Sequence, residues 1–212
     1  MIKILIADDY DLIREGLKKI IKQDPAMQVV AEAKNGAEVL PLLQKQSVDV
    51  IVLDISMPVR DGIDVLKDCT KYYPQIPVLI LTMHSEKKYA MRAILAGAVG
   101  YLSKESTSRE LVQAIRCVVN GGKYITPTLA NYLVESIRHN GSSTEQPHEL
   151  LSDKEFEILC RLASGNSVKG ISDELNITPS TVHTYKSRIY KKMGLQSITD
   201  LTRYCVSHNL LE

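Results

Sequence analysis

The chain has 212 residues, 44 % hydrophobic and 24 % charged, with 26 Lys and Arg against 25 Asp and Glu for a net charge of +1. At about 100–200 residues per domain this allows one large domain or two small ones, and the composition excludes disorder, collagen and coiled-coil rods as readings of the whole chain. No global charge excess points to nucleic acid or membrane, so any such function must lie in a local patch.

Residues 1–120 alternate short β-branched runs with amphipathic stretches. The runs are Ile2–Ala7, Gln28–Ala33, Val48–Leu53, Ile76–Leu81 and Val99–Leu102, nearly all apolar, as strands buried on both faces should be. Leu12, Gly16, Leu17, Ile20 and Ile21 mark a first helix; Leu111, Ala114, Ile115 and Val118 mark the last, with Thr107 and Glu110 as a capping box. Five βα units predict an α/β domain, a flavodoxin-like, doubly wound five-stranded parallel sheet with helices on both faces. Pro41 lies inside the apparent second helix, Gly36–Lys45, and predicts a kink or a late start there.

Past Val119 the strand signal stops. A short helix is expected over roughly 128–138, then a flexible polar linker at His139–Glu149. Residues 150–212 read as an all-α, four-helix unit. Ser152 with Glu155 is a capping box opening 152–163, a short helix follows at 168–175, Thr178 and Pro179 open 179–192, and 198–208 is the last helix. The tight joint around Asn176-Ile177, between the second and third of these, has the form of a helix-turn-helix. The expected boundaries are therefore 1–120, a linker with a short helix at 121–149, and 150–212.

The four cysteines (Cys69, Cys117, Cys160, Cys205) are far apart and form no CxxC pair, which suits neither a zinc site nor a disulfide framework and fits a reducing cytosol. The N-terminal run meets Asp8 and Asp9 at once, unlike a signal peptide, and no apolar run is long enough to span a bilayer. A cytoplasmic protein is expected.

Strand C-termini of a parallel sheet share one edge, where ligands bind. Asp8 and Asp9 follow the first strand, Asp54 ends the third, Thr82 ends the fourth and Lys104 follows the fifth. Three carboxylates, a hydroxyl and an ammonium should meet at one rim. The like charges repel, and a hard divalent cation such as Mg²⁺ removes that cost. The set suits phosphoryl transfer: a carboxylate attacks phosphorus while cations and a hydroxyl neutralise the equatorial oxygens.

The text ILIADDYDLIREGL, VDVIVLDISMPVRDGIDVL, VLILTMHS and AILAGAVGYLSK resembles the receiver domain of bacterial two-component response regulators. The resemblance implies that Asp54 is the phosphoacceptor, with Asp8, Asp9, Asp54 and the Ser56 carbonyl holding Mg²⁺. It implies that Thr82 and Lys104 contact the phosphoryl group, that Tyr101 is the aromatic whose rotamer follows Thr82, and that Pro58 and Gly62 shape the loop after Asp54. It further implies a cis peptide bond between Lys104 and Glu105. His84, two residues past Thr82, reads either as an influence on phosphoryl lifetime or as an exposed loop histidine. His139, His148 and His208 are expected to be solvated, and the cysteines to be small core or surface groups.

In the second half, Val182–Met193 carries Lys186, Arg188, Lys191 and Lys192 and no acid, although 150–212 as a whole has eight basic and seven acidic residues. Helical phase turns Val182, Tyr185, Ile189 and Met193 inward and Thr184, Ser187, Arg188 and Lys191 outward, a surface that fits a DNA major groove. The text LLSDKEFEILCRLASGNSVKGISDELNITPSTVHTYKSRIYKKMGLQS looks like the LuxR-type DNA-binding domain, and the two halves together resemble the NarL/FixJ subfamily. Candidate DNA contacts are Thr181, His183, Thr184, Lys186, Ser187, Arg188, Lys191 and Lys192. His183 stands where the family often has Lys, Tyr185 where it often has His, and Lys169-Gly170 where Lys-Glu is more usual.

The resemblance implies a phosphorylation-dependent transcription factor that is not otherwise an enzyme. A sensor histidine kinase, promoter DNA and a second copy of the chain in a phosphorylated homodimer are its expected partners. An aspartyl-nucleophile phosphohydrolase is the rival reading; many of those place a second acid where Ser56 stands. A flavodoxin-like FMN binder needs a hydroxyl-rich loop after the first strand, where Asp8-Asp9 would repel the phosphate.

Overall fold

The structure, a computed structural model, describes residues 1–83, 86–106, 108–127, 129–131, 134, 146–175, 177–208 and 210–211, and for 86–88, 149 and 153 the backbone alone. The chain forms two compact units, Met1–Leu133 and Val134–Glu212.

The first unit is a five-stranded parallel sheet: β1 (Ile2–Ala7), β2 (Met27–Ala33), β3 (Val50–Leu53), β4 (Val78–Thr82) and β5 (Gly100–Ser103), in the order β2-β1-β3-β4-β5. Helices α1 (Asp11–Lys22), α2 (Gly36–Lys45), α3 (Gly62–Tyr72), α4 (Glu86–Leu95) and α5 (Ser108–Val119) follow the strands in turn. Ile4, Ile6, Val50, Val52, Leu79 and Leu81 pack one face onto Leu17 and Ile21 of α1 and onto Leu111, Ala114, Ile115 and Val118 of α5. Leu5, Ile51, Leu53 and Ile80, pointing the other way, are equally buried, so both faces are covered. The chain reverses its strand order at β1, so β1 and β3 are neighbours and their helices leave on opposite faces.

Of the two outcomes expected at Pro41, the late start is not seen: α2 runs from Gly36 to Lys45 with Pro41 inside it. Pro41 removes one interior hydrogen bond, while Asn35 caps the start and Gly36, Val39 and Leu43 are buried on one side. Packing outweighs the local cost.

In the second unit a 3₁₀ turn (Pro147–Leu150) precedes α6 (Asp153–Ala163), α7 (Val168–Glu174), α8 (Pro179–Met193) and α9 (Ile198–Ser207). Hydroxyl caps start all four helices: Ser152, Ser167, Thr178 and Ser197 each accept a backbone N–H, and Ser152 with Glu155 completes the expected capping box. Gly194 ends α8 at φ +65°, a left-handed conformation that glycine adopts without strain. Phe156, Leu159, Ile171, Val182, Ile189, Leu201 and Cys205 form the buried centre.

Two expected solvent positions are instead packed. The turn at Pro147–Leu150, the end of the expected linker, places His148 Nδ1 2.8 Å from the Tyr204 hydroxyl, with its ring 6.2 Å from that of Phe156. His208 stacks on Tyr204 at 4.0 Å. His139 and most of the expected linker lie outside the described residues, as do Thr107 of the expected α5 capping box, Asn176 and much of the expected 128–138 helix, of which Pro127, Leu129–Asn131 and Val134 are helical. Cys69, Cys160 and Cys205 are buried and Cys117 half-buried, all as free thiols; burial pushes the Cys69 thiol up to about 12.

Candidate functional site

The acidic rim is built by the backbone. Asp8 N–H donates to Ala33 O, Asp54 N–H to Ala7 O and Lys104 N–H to Thr82 O, so each group continues the sheet ladder past the last strand residue. Because β1 and β3 are neighbours, the side chains of Asp8, Asp9 and Asp54 converge: one oxygen from each lies within 4.8 Å of the others. Lys104 bridges two of them, 2.7 Å from Asp8 and 2.8 Å from Asp54. Asp8, Asp54 and Thr82 are each at most 4 % exposed, and Tyr101 of β5 is fully buried. Asp54 also accepts from Ile55 N–H at 2.7 Å.

The bond between Lys104 and Glu105 is trans, against expectation. A turn does the aiming: Ser106 N–H donates to Ser103 O, Glu105 N–H donates to Ser103 Oγ at 3.1 Å, and the lysine stem reaches both carboxylates from there.

Electrostatics set the character of the rim. Burial raises the Asp8 pKa, and the Lys104 ammonium only partly offsets it. Burial raises that of Asp9 as well, with the Asp54 and Asp8 charges adding to it. Burial works against the charge on Lys104, but Asp54 and Asp8 outweigh it and hold its pKa above the ordinary value. The rim therefore holds more negative charge than its one lysine balances. Asp9 Oδ1 is a buried acceptor that no donor among the described residues serves. An all-oxygen donor set with such an atom fits a hard divalent cation.

The loop after Asp54 is tightly held. A Cβ on Gly62 would lie 2.1 Å from Asp54 O, so only glycine fits there. Gly62 N–H donates to Ile55 O at 2.8 Å, closing the turn that carries Ser56 and Pro58. Among the described residues Val59 is the only non-glycine with positive φ, at 68°. His84 lies outside the described residues.

Sequence reasoning missed two supports. Arg14 is 3 % exposed and donates from Nη1 to Asp8 O at 2.7 Å, fixing α1 to the end of β1. The signal was present: Arg14, Leu17 and Ile21 share the i, i+3, i+7 face, which put a cation on the apolar side. In the second unit Lys192 donates to Glu155 at 2.7 Å and to Leu150 O at 3.2 Å. It joins the end of α8 to the start of α6.

Along α8 the expected phase holds. Val182, Ile189 and Met193 are buried and Tyr185 half-buried, while His183, Thr184, Ser187, Arg188 and Lys191 are exposed. Thr181 is half-buried with its hydroxyl 2.8 Å from that of Thr178, Lys186 lies over the Tyr190 ring at 5.5 Å, and Arg188 over Tyr185 at 5.9 Å.

An acid-rimmed parallel sheet followed by a helical unit with an exposed basic helix is the arrangement of a DNA-binding regulator, and comparison with known proteins agrees. The family model for the response regulator receiver domain matches residues 4–116, and that for bacterial regulatory proteins of the luxR family matches 149–205. Response regulator UvrY of Escherichia coli K12 is 32 % identical over 210 residues, covering 99 % of this chain and 96 % of UvrY. Response regulator GacA of Pseudomonas aeruginosa is 34 % identical over 212 residues, covering 100 % and 99 %. A solved complex of the two-component response regulator RcsB with DNA is similar at 25 % identity and TM-score 0.60, covering 97 % and 98 %. The chain belongs to the NarL/FixJ family of two-component response regulators, transcription factors with a receiver domain and a LuxR-type DNA-binding domain. Among the described residues no helix is long and apolar enough to cross a membrane.

Proposed function

We propose that Asp54 accepts a phosphoryl group from a sensor histidine kinase, and that this controls dimerisation and promoter binding by α8. The convergence of Asp8, Asp9 and Asp54 around a buried, unserved oxygen, with Lys104 on two of them, carries the reading. Asp54 is the nucleophile: its oxygen forms the bond to phosphorus as the donor's bond to phosphorus breaks. Asp8, Asp9, Asp54 and the Ser56 carbonyl would hold Mg²⁺, which when bound supplies positive charge against the acceptor carboxylate and the transferred oxygens. Lys104 turns from the free carboxylates to the phosphoryl oxygens, and the Thr82 hydroxyl donates to them. Thr82 of β4 and Tyr101 of β5, both buried, with Tyr101 in register with Ile80 two residues before Thr82, form the switch that alters the surface of the last strands. The receiver acts on no other substrate, and the protein works in the cytosol, in keeping with its free thiols.

On DNA, Thr184, Ser187 and Arg188 approach base edges, with Thr181 and His183 beside them, while Lys186 and Lys191 meet phosphates. Lys192, counted with them from sequence, reaches phosphate only by giving up Glu155. A separate 1–120 receiver, a 121–149 linker and a 150–212 DNA-binding domain are the working parts. Charge alone does not carry the signal between them, because the Debye length is about 8 Å at physiological salt; a change of assembly does.

Incubation with Mg²⁺ and acetyl phosphate, followed by intact mass measurement, tests this. The wild type gains one phosphate; Asp54→Asn gains none, and EDTA abolishes the gain. Equal labelling of Asp54→Asn overturns the assignment, and sustained turnover of a free phosphate ester returns the phosphohydrolase reading.

A further inference from the structure

Among the helices whose caps lie in the described residues, one breaks the capping rule that the others keep. Asn35, Asp61, Ser152, Ser167, Thr178 and Ser197 each cap their helix with a side-chain oxygen. At the start of α1 the cap position is Tyr10, whose side chain caps nothing. Tyrosine there leaves helix N–H groups without the partner that Asn or Asp would supply. A residue that breaks a local rule beside a functional site is expected to serve that site.

Tyr10 sits where such a service is possible. Its N–H donates to Asp8 Oδ1 at 2.9 Å, which fixes the residue to the rim. The residue is 64 % exposed, a costly place for a large ring. The ring lies over Lys104 Nζ, 5.7 Å from its centroid. The ammonium is thus held between two carboxylates and an aromatic face, and the Lys104 side chain is only 5 % exposed. An aromatic ring attracts a cation through its face and keeps water from that side.

We propose that Tyr10 is a positioning and shielding residue: its ring holds Lys104 at the rim and keeps water from the phosphoryl group, lengthening the life of the phosphorylated state at the expense of a helix cap. This rests on the reading of Asp54 as phosphoacceptor. Loss of the phosphoryl group is a hydrolysis. A water oxygen bonds to phosphorus, the bond from phosphorus to the Asp54 oxygen breaks with its electron pair returning to the carboxylate, and the water proton leaves on inorganic phosphate. A ring that restricts water and keeps Lys104 on the phosphoryl oxygens slows that step. Its hydroxyl has no part in it.

The test uses the full chain with Tyr10→Asn, which removes the ring and restores a cap, and Tyr10→Phe, which keeps the ring. Each protein is phosphorylated with acetyl phosphate and Mg²⁺ and freed of donor, and the decay of the phosphorylated mass is followed; thermal unfolding is measured alongside. Tyr10→Asn is expected to shorten the half-life at least threefold while its Tm stays level or rises. Tyr10→Phe is expected to stay within 1.5-fold of the wild type. These opposite movements of lifetime and stability are not what a merely structural residue gives. An unchanged half-life in Tyr10→Asn overturns the shield, and so does a Tyr10→Phe half-life as short as that of Tyr10→Asn. A wild type that takes no phosphate is a different result, which removes the Asp54 reading itself.

Discussion

The two units place charge in opposite ways. In the receiver, Asp8, Asp54 and the Lys104 side chain are each at most 5 % exposed and continue the backbone ladder of the sheet. On α8, Arg188 and Lys191 stand exposed on long stems over a buried apolar face of Val182, Ile189 and Met193. Buried charges are costly and have few alternatives, so they give one geometry, which suits a single small reacting group. Exposed charges are cheap and adjustable, and suit a long polyanion whose phosphates are met one by one. Strain follows the same division. The only positive-φ non-glycine among the described residues is Val59, in the loop after Asp54, while the helices of the second unit start on regular hydroxyl caps.

The sharpest way to separate the two units is to empty the core of one. Ile189→Ala removes a fully buried side chain from α8 and is expected to cost the second unit about 4 kcal/mol. Hydrogen exchange followed by mass spectrometry should show the amides of α6–α9 opening, with phosphoryl uptake by Asp54 unchanged. Loss of uptake would show that the units do not act separately. Next in size, Lys104→Met leaves the Asp8 and Asp54 charges unpaired and is expected to cost the first unit about 3 kcal/mol. Millimolar Mg²⁺ should return more of that loss than it adds to the wild type, because the cation then replaces the ammonium. Equal gains in thermal unfolding would contradict the account of charge at the rim.

Arg188→Ala should spare stability and cost about 2 kcal/mol on a cognate duplex, with relaxed sequence preference, in fluorescence anisotropy. Unchanged affinity and preference would place the DNA-facing side of α8 elsewhere. The smallest effect is on pH. Burial works to raise the Glu155 pKa, but hydrogen bonds from Lys192 and Ser152 outweigh it and hold the carboxyl below its ordinary 4.5. A depressed carboxylate adds stability that is present above its unfolded value and is lost as pH falls through the folded one. Exchange protection of α6 should therefore fall below about pH 4.5, and Glu155→Gln should flatten that acid limb. An identical limb in Glu155→Gln would show that the Lys192 tie contributes nothing to it.

Most of the elements were legible in the sequence, for physical reasons that are local. Strands covered on both faces must be apolar throughout, so Ile2–Ala7 and the runs like it stand out, and acids at their ends mark one rim. Ser152 with Glu155 and Thr178 with Pro179 fix helix starts through contacts within one turn. The inward and outward faces of α8 follow from 3.6-residue spacing alone.

Other features needed the tertiary structure. Strand order is not written in any run, and only the adjacency of β1 and β3 brings Asp8 and Asp9 to Asp54. Pro41 predicts a kink or a late start from local cost, yet with Val39 and Leu43 buried α2 starts at Gly36. His148 and His208 read as solvated until α6, α9 and the turn before them close around Tyr204 and Phe156. The tie from Lys192 to Glu155 and the Leu150 carbonyl is likewise not legible in any local run. By itself the sequence determined which segments form and which faces they bury, because propensity, capping and periodicity act over a few residues. Which distant groups meet was decided by the tertiary structure, because the energy of burying and pairing them depends on neighbours far away in the chain, as with Lys104 and Asp54, 50 residues apart.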